Sequence, residues 1–68
     1  MNRVITLHEH DSEVEVYILV AQIVKFYLET SSKEQEYTAV NLTDGSVEHV
    51  SETPAQIYTA IHLAPINP

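Results

Sequence analysis

His8 and His10 are two residues apart, so in an extended segment both imidazoles fall on one face, with Glu9 and Asp11 beside them as oxygen donors. Transition metals favour such groups, but a stable site needs three or four convergent ligands, and only the distant His49 or His62 could complete this set. The pair therefore reads first as an exposed polar turn and only second as a metal site. His49, beside Glu48, reads as a partly buried, hydrogen-bonded histidine rather than a general base. His62 falls where a cationic ring would complement a helix C-terminus. The serines Ser12, Ser31, Ser32, Ser46 and Ser51 lie in expected turns or strand ends, with no glycine-framed elbow and no oxyanion nest. Glu13 and Glu15 share a strand face turned to water, where they serve as solubilising charge. A single glycine leaves no phosphate-cradling loop. Asn41-Leu42-Thr43 matches a glycosylation sequon at an expected hairpin and is taken as chance. The expectation is a protein without catalytic residues, cofactor or metal.

The elements that position these side chains follow from pattern. Residues 3–7 read as a strand with Ile5 and Leu7 on one face, ended by the polar turn 8–12. Residues 13–18 alternate with period two, which places Val14, Val16 and Ile18 inside and Glu13 and Glu15 outside. In residues 18–29, Gln22, Lys25 and Glu29 share a helical stripe, whereas Ile18, Val20, Ile23 and Val24 are branched and no N-cap precedes them. The preferred reading is a bend at 19–22 followed by a strand at 23–28, and then a polar loop at 30–35.

Residues 36–42 alternate again, and Asp44-Gly45 turns the chain into a strand at 47–50. The turn is either a two-residue type I′ loop, which would set His49 opposite Val40, or a type I turn with a left-handed Gly45 in a G1 bulge. Thr53-Pro54-Ala55-Gln56 is a helix start with a capping box, and Ile57, Ala60, Ile61 and Ala64 form the inward stripe of a helix reaching about Leu63. Pro65 and Pro68 end it, leaving residues 65–68 as a tail. Ala21-Gln22-Ile23 repeats as Ala55-Gln56-Ile57 at an offset of 34 residues. A duplicated ββαββα arrangement is therefore an alternative.

The 68 residues predict one small domain, residues 1–68, near the lower limit for a self-sufficient core. No cysteine supplements it, so partner burial is the remaining device. Ten acidic residues against three basic ones give a net charge of −7, which disfavours nucleic acid and anionic membranes. Gln22 and Lys25 interrupt the longest apolar run, and no basic-then-apolar leader is seen, so a cytoplasmic location is expected. Tyrosine is enriched at interfaces because it buries a ring while keeping its hydroxyl wet. Phe26, Tyr27 and Tyr17 are the candidate contact residues. Glu9, Asp11, Glu13 and Glu15 form a candidate acidic face for a basic protein partner.

The pattern Val16-Tyr17-Ile18-x-Val20-x-x-Ile23-Val24, then Thr38-x-Val40-x-Leu42-x-Asp44-Gly45-Ser46, then Val50-x-Glu52-Thr53-Pro54-x-x-Ile57 resembles a group of small bacterial and phage proteins that includes the flagellar FlbD-like family. It covers about two-thirds of the chain. The resemblance implies a curled antiparallel sheet closed by a C-terminal helix, and no catalytic residues. Where FlbD-like sequences carry an Asn-Pro or Asn-x-Asp bend, this chain has Leu19-Val20-Ala21. The expected architecture is α+β, a small curled antiparallel sheet of four to five strands with one C-terminal helix. The expected role is a non-enzymatic interaction module, a homodimer joined by a sheet edge or aromatic face. The alternative role is a phage-type acidic inhibitor that mimics nucleic acid and occupies a basic site on a nucleic-acid-handling protein.

Overall fold

The computed structural model describes residues 3–63. Expectations for Ala64 and the tail at 65–68 fall outside the described residues. The elements run β1 (Val4–His8), β2 (Glu15–Leu19), a 3-10 turn (Val20–Gln22), β3 (Ile23–Thr30), β4 (Glu36–Leu42), β5 (Val47–Val50) and α1 (Pro54–Leu63). Among the described residues the architecture is α+β, with five antiparallel strands and one C-terminal helix. The strands form two ladders, β1-β2 and β3-β4-β5, where a single curled sheet was expected. The reason lies at two junctions. The chain between β2 and β3 turns a corner whose backbone bonds both ladders: Val20 donates to the Arg3 carbonyl and Thr43 to that of Gln22. At the other end β1 meets β5 only through the bridge Glu9–Val50, flanked by bonds from His10 to the His49 carbonyl and from Ser51 to that of His8. The two ladders thus meet at corners without a continuous row of pairs.

Ile5 and Leu7 of β1, Ile18 of β2, Val40 and Val50 of the larger sheet and Ile57 of α1 make the core. Period-two alternation in the strands and the three- and four-residue spacing in the helix deliver them to one interior. Around this cluster pack Val16, Val20, Ile23, Phe26, Leu42, Ala60 and Ile61. Val14 departs from the expected inward set and is 55% exposed. Glu13 adopts φ 58°, a turn conformation, and the ladder resumes only at Glu15 opposite His8, so the alternation that begins at Glu13 does not govern Val14. For the same reason Glu13 and Glu15 do not share a strand face.

The capping box forms as its residue types require: Gln56 donates its backbone N–H to Thr53 Oγ1, and Gln56 Oε1 accepts the Thr53 N–H. No such cap precedes Val20, and its branched neighbours favour the pleat, so Ile23 onward is strand. The repeated Ala-Gln-Ile tripeptide therefore adopts two different structures, which removes the ββαββα duplication. Gly45 has φ 90°, its N–H bonds the Leu42 carbonyl, and Ser46 receives the Leu42 N–H. This is the type I turn with a G1 bulge. Its extra residue shifts the register, so His49 lies opposite Ala39 and Glu48 opposite Val40. Among the described residues no helix is long and apolar enough to cross a membrane.

Candidate functional site

His8 and His10 share a strand end but go to different surroundings. The His8 ring meets Glu52 at 2.6 Å, and its backbone N–H donates to the other Glu52 oxygen at 2.9 Å. The bond between the ring and the carboxylate holds His8 above its ordinary 6.5. Burial pushes the Glu52 carboxyl up, but the bonds from the His8 ring and backbone outweigh it and leave the group below its ordinary 4.5. Glu52 joins β1 to the start of α1, and its carbonyl accepts from the buried Thr38 hydroxyl. Sequence reasoning assigned Glu52 no role, because its partners are 14 and 44 residues away.

His10 instead packs on Tyr37, with ring centroids 5.1 Å apart, and Tyr37 packs on His49 at 4.6 Å. His49 is therefore an exposed member of a stacked row, not a partly buried hydrogen-bonded group. The row walls a cleft of about 290 Å³ that Ser31, Lys33 and Gln35 complete. Among the described residues no group of three or more ligand-type side chains is placed to hold a metal ion. His62, in the last turn of α1, stacks on Tyr58.

The acidic candidates surround the β1–β2 turn. Asp11, Glu13 and Glu15 are exposed, whereas Glu9 is half-buried where it bridges to β5. The candidate contact residues are dispersed. Tyr17, 68% exposed, stands on β2 beside a groove of about 300 Å³ that also includes Leu42, Asp44 and Glu48. Phe26 and Tyr27 are consecutive in β3 and so face opposite ways. Phe26 packs against the core, while Tyr27 joins Lys25 and Glu29 on the outer face. Phe26 and Tyr27 therefore do not form one aromatic patch.

Among the described residues β3 is the longest strand, eight residues, and it borders only β4. Its other edge is unpaired among the described residues, and Val24, Tyr27 and Leu28 are 62, 39 and 49% exposed. Natural proteins blunt such edges with charge, proline or bulges. Here the devices are one bulge between Ile23 and Lys25, and the two charges Lys25 and Glu29. The Lys25 ammonium lies 5.7 Å from the Tyr27 ring. Glu29, half-buried, accepts the Tyr37 hydroxyl at 2.9 Å, which raises Tyr37 above its ordinary 10.0.

No protein-family model, curated protein or solved structure matches this chain.

Proposed function

We propose that the protein is a non-enzymatic protein–protein interaction module that self-associates as a homodimer through the open edge of β3. The observation that carries this reading is an eight-residue strand, with Val24, Tyr27 and Leu28 exposed, that has one row of backbone donors and acceptors unpaired among the described residues. Strand addition satisfies such an edge with main-chain hydrogen bonds while covering its side chains. The small core adds to the case, because a 68-residue domain without disulfides gains from shared burial. Under this reading the protein is cytoplasmic and uses neither cofactor, nucleic acid nor membrane.

The exposed Asp11, Glu13 and Glu15 favour a second reading, an acidic inhibitor of a basic, nucleic-acid-handling protein. Sedimentation equilibrium over a concentration series, at about 0.05 and 0.5 M salt, separates the two because the Debye length falls severalfold between them. A dimer at both salts supports the edge reading. A monomer throughout refutes it and leaves the acidic face as the surface to test.

A further inference from the structure

β3 reads Lys25-Phe26-Tyr27-Leu28-Glu29, a segment with opposite charges at its ends, apolar residues inside them and a tyrosine at the centre. In an isologous antiparallel pair the strand meets itself in reverse, so residue i faces a residue at a constant sum of numbers. Resting on the edge reading above, we propose that two copies pair β3 to β3 about a two-fold axis at Tyr27, with Lys25 of each copy opposite Glu29 of the other and Phe26 opposite Leu28.

The backbone permits this register. Leu42 exchanges both of its main-chain bonds with the turn that leads into β5, so it faces β5. Alternation along β4 then turns Asn41, Ala39 and Tyr37 toward β3, and their partners Lys25, Tyr27 and Glu29 back toward β4. The main-chain groups of Phe26, Leu28 and Thr30 are left pointing out from the edge. Pairing Phe26 with Leu28 of the second copy joins outward-pointing residues with outward-pointing ones, and by symmetry does so twice. Tyr27 and the two charge pairs then occupy the non-hydrogen-bonded positions, where cross-strand side chains are closest.

The charges select this register over its neighbours. Sliding the pair by two residues in either direction sets Tyr27 against a charge and leaves Lys25 and Glu29 apart. Within one copy neither charge has an ion-pair partner among the described residues: the ion pairs there are His8–Glu52 and His10–Asp11. The half-buried Glu29 has the Tyr37 hydroxyl but no cation, and Lys25 has a ring but no carboxylate. The proposed register supplies both. It also suits a strongly acidic chain, since β3 carries one cation and one anion and is itself neutral. The free edge of β2 offers no such balance, because Glu15 is the one charge on that strand and Asp44 and Glu48 line the groove beside it.

The chain has no cysteine, so single thiols report the register directly. Under mild oxidation Tyr27→Cys is expected to give a disulfide-linked dimer. Lys25→Cys and Glu29→Cys should each stay largely uncrosslinked alone and give a mixed dimer when combined. In sedimentation, Lys25→Glu is expected to weaken the dimer about tenfold or more, because two attractive pairs become repulsive. An equimolar mixture of Lys25→Glu with Glu29→Lys should restore association. A wild-type dimer with efficient crosslinking at position 25 alone, or none at position 27, overturns the register while leaving self-association intact. A wild-type monomer overturns both.

Discussion

Thr38 offers a prediction in which packing and hydrogen bonding separate cleanly. It is fully buried at the centre of β4, opposite Val50 and Leu28, and its hydroxyl donates to the Glu52 carbonyl at 2.5 Å. That bond ties the strand to the link that carries the capping box of α1. Thr38→Val keeps the shape and removes the donor, so its cost is the lost bond and a less satisfied carbonyl, about 1–2 kcal/mol. Thr38→Ser keeps the donor and removes one methyl group, about 0.8 kcal/mol of transfer plus roughly 0.5 kcal/mol for the small cavity. Thr38→Ala combines both losses, about 2–3 kcal/mol, a large share of the total stability of a chain this size.

The assay is urea unfolding followed by circular dichroism at one fixed protein concentration, which keeps association from contributing to the differences. A lower midpoint with an unchanged slope marks a true stability change. In thermal unfolding, about 4–8 °C is lost per kcal/mol for a domain of this length. Hydrogen exchange at the Gln56 and Ile57 amides locates the effect, since loosening the link should release the first turn of α1 early in Thr38→Val but not in Thr38→Ser. If Thr38→Val matches or exceeds the wild type, the hydroxyl bond does not hold the helix link, and Thr38 contributes by packing alone.

Three further outcomes follow. Gly45→Ala should cost about 1–2 kcal/mol by urea unfolding, a purely conformational loss, because φ is 90° and an added Cβ meets nothing within 4 Å. Gly45→Asn should cost less. For His8, raised above 6.5, the contribution to stability is full below that value and fades as pH rises through the raised one. For Glu52, lowered below 4.5, it is full above that value and fades as pH falls through the lowered one. Urea midpoints should thus show the pair contributing most between the two ordinary values, and Glu52→Gln should flatten both flanks. Glu29→Gln should bring Tyr37 ionisation back down toward 10.0, read as the phenolate absorbance difference from Tyr37→Phe in the same background. An unmoved titration would mean that Glu29 does not hold the hydroxyl.

Much of the fold was legible because local chemistry decided it. The capping box around Thr53, the positive φ at Gly45 and the period-two rows in β1 and β4 each need only neighbouring residues. The strand at β3 was also legible, since branching at Ile23 and Val24 outweighed the helical stripe of Gln22, Lys25 and Glu29. What was not legible depends on distant partners or on one-residue offsets. The bulge at Gly45 moved His49 by one pairing position, which is what brings it onto Tyr37 in place of the inner face. The left-handed Glu13 ended the alternation before Val14. Glu52 drew significance only from His8 and Thr38, and the division into two ladders from bonds that straddle the chain at Arg3, Gln22 and His49. For the site, Lys25, Tyr27 and Glu29 were visible as residues, but their shared outer face required knowing that β3 is a strand with one neighbour.

The placement of exposed apolar residues decides among the surfaces. Tyr58 and Leu63 lie on α1, where singly exposed side chains are ordinary. Tyr17 and Leu19 on β2 adjoin a groove with Asp44 and Glu48 on its wall, so a second copy there would meet like charge. Val24, Tyr27 and Leu28 alone combine exposure with an open backbone edge and a balanced pair of charges. If that edge is the dimer contact, folding and association are linked, and the unfolding midpoint must rise with protein concentration. In Lys25→Glu the same dependence should move to about tenfold higher protein concentration or beyond, because the weaker dimer needs that much more protein to form. A wild-type midpoint constant over about a hundredfold concentration range would mean that the cluster around Val40 and Ile57 sustains the fold alone. The β3 edge would then have to be kept open for a partner other than itself.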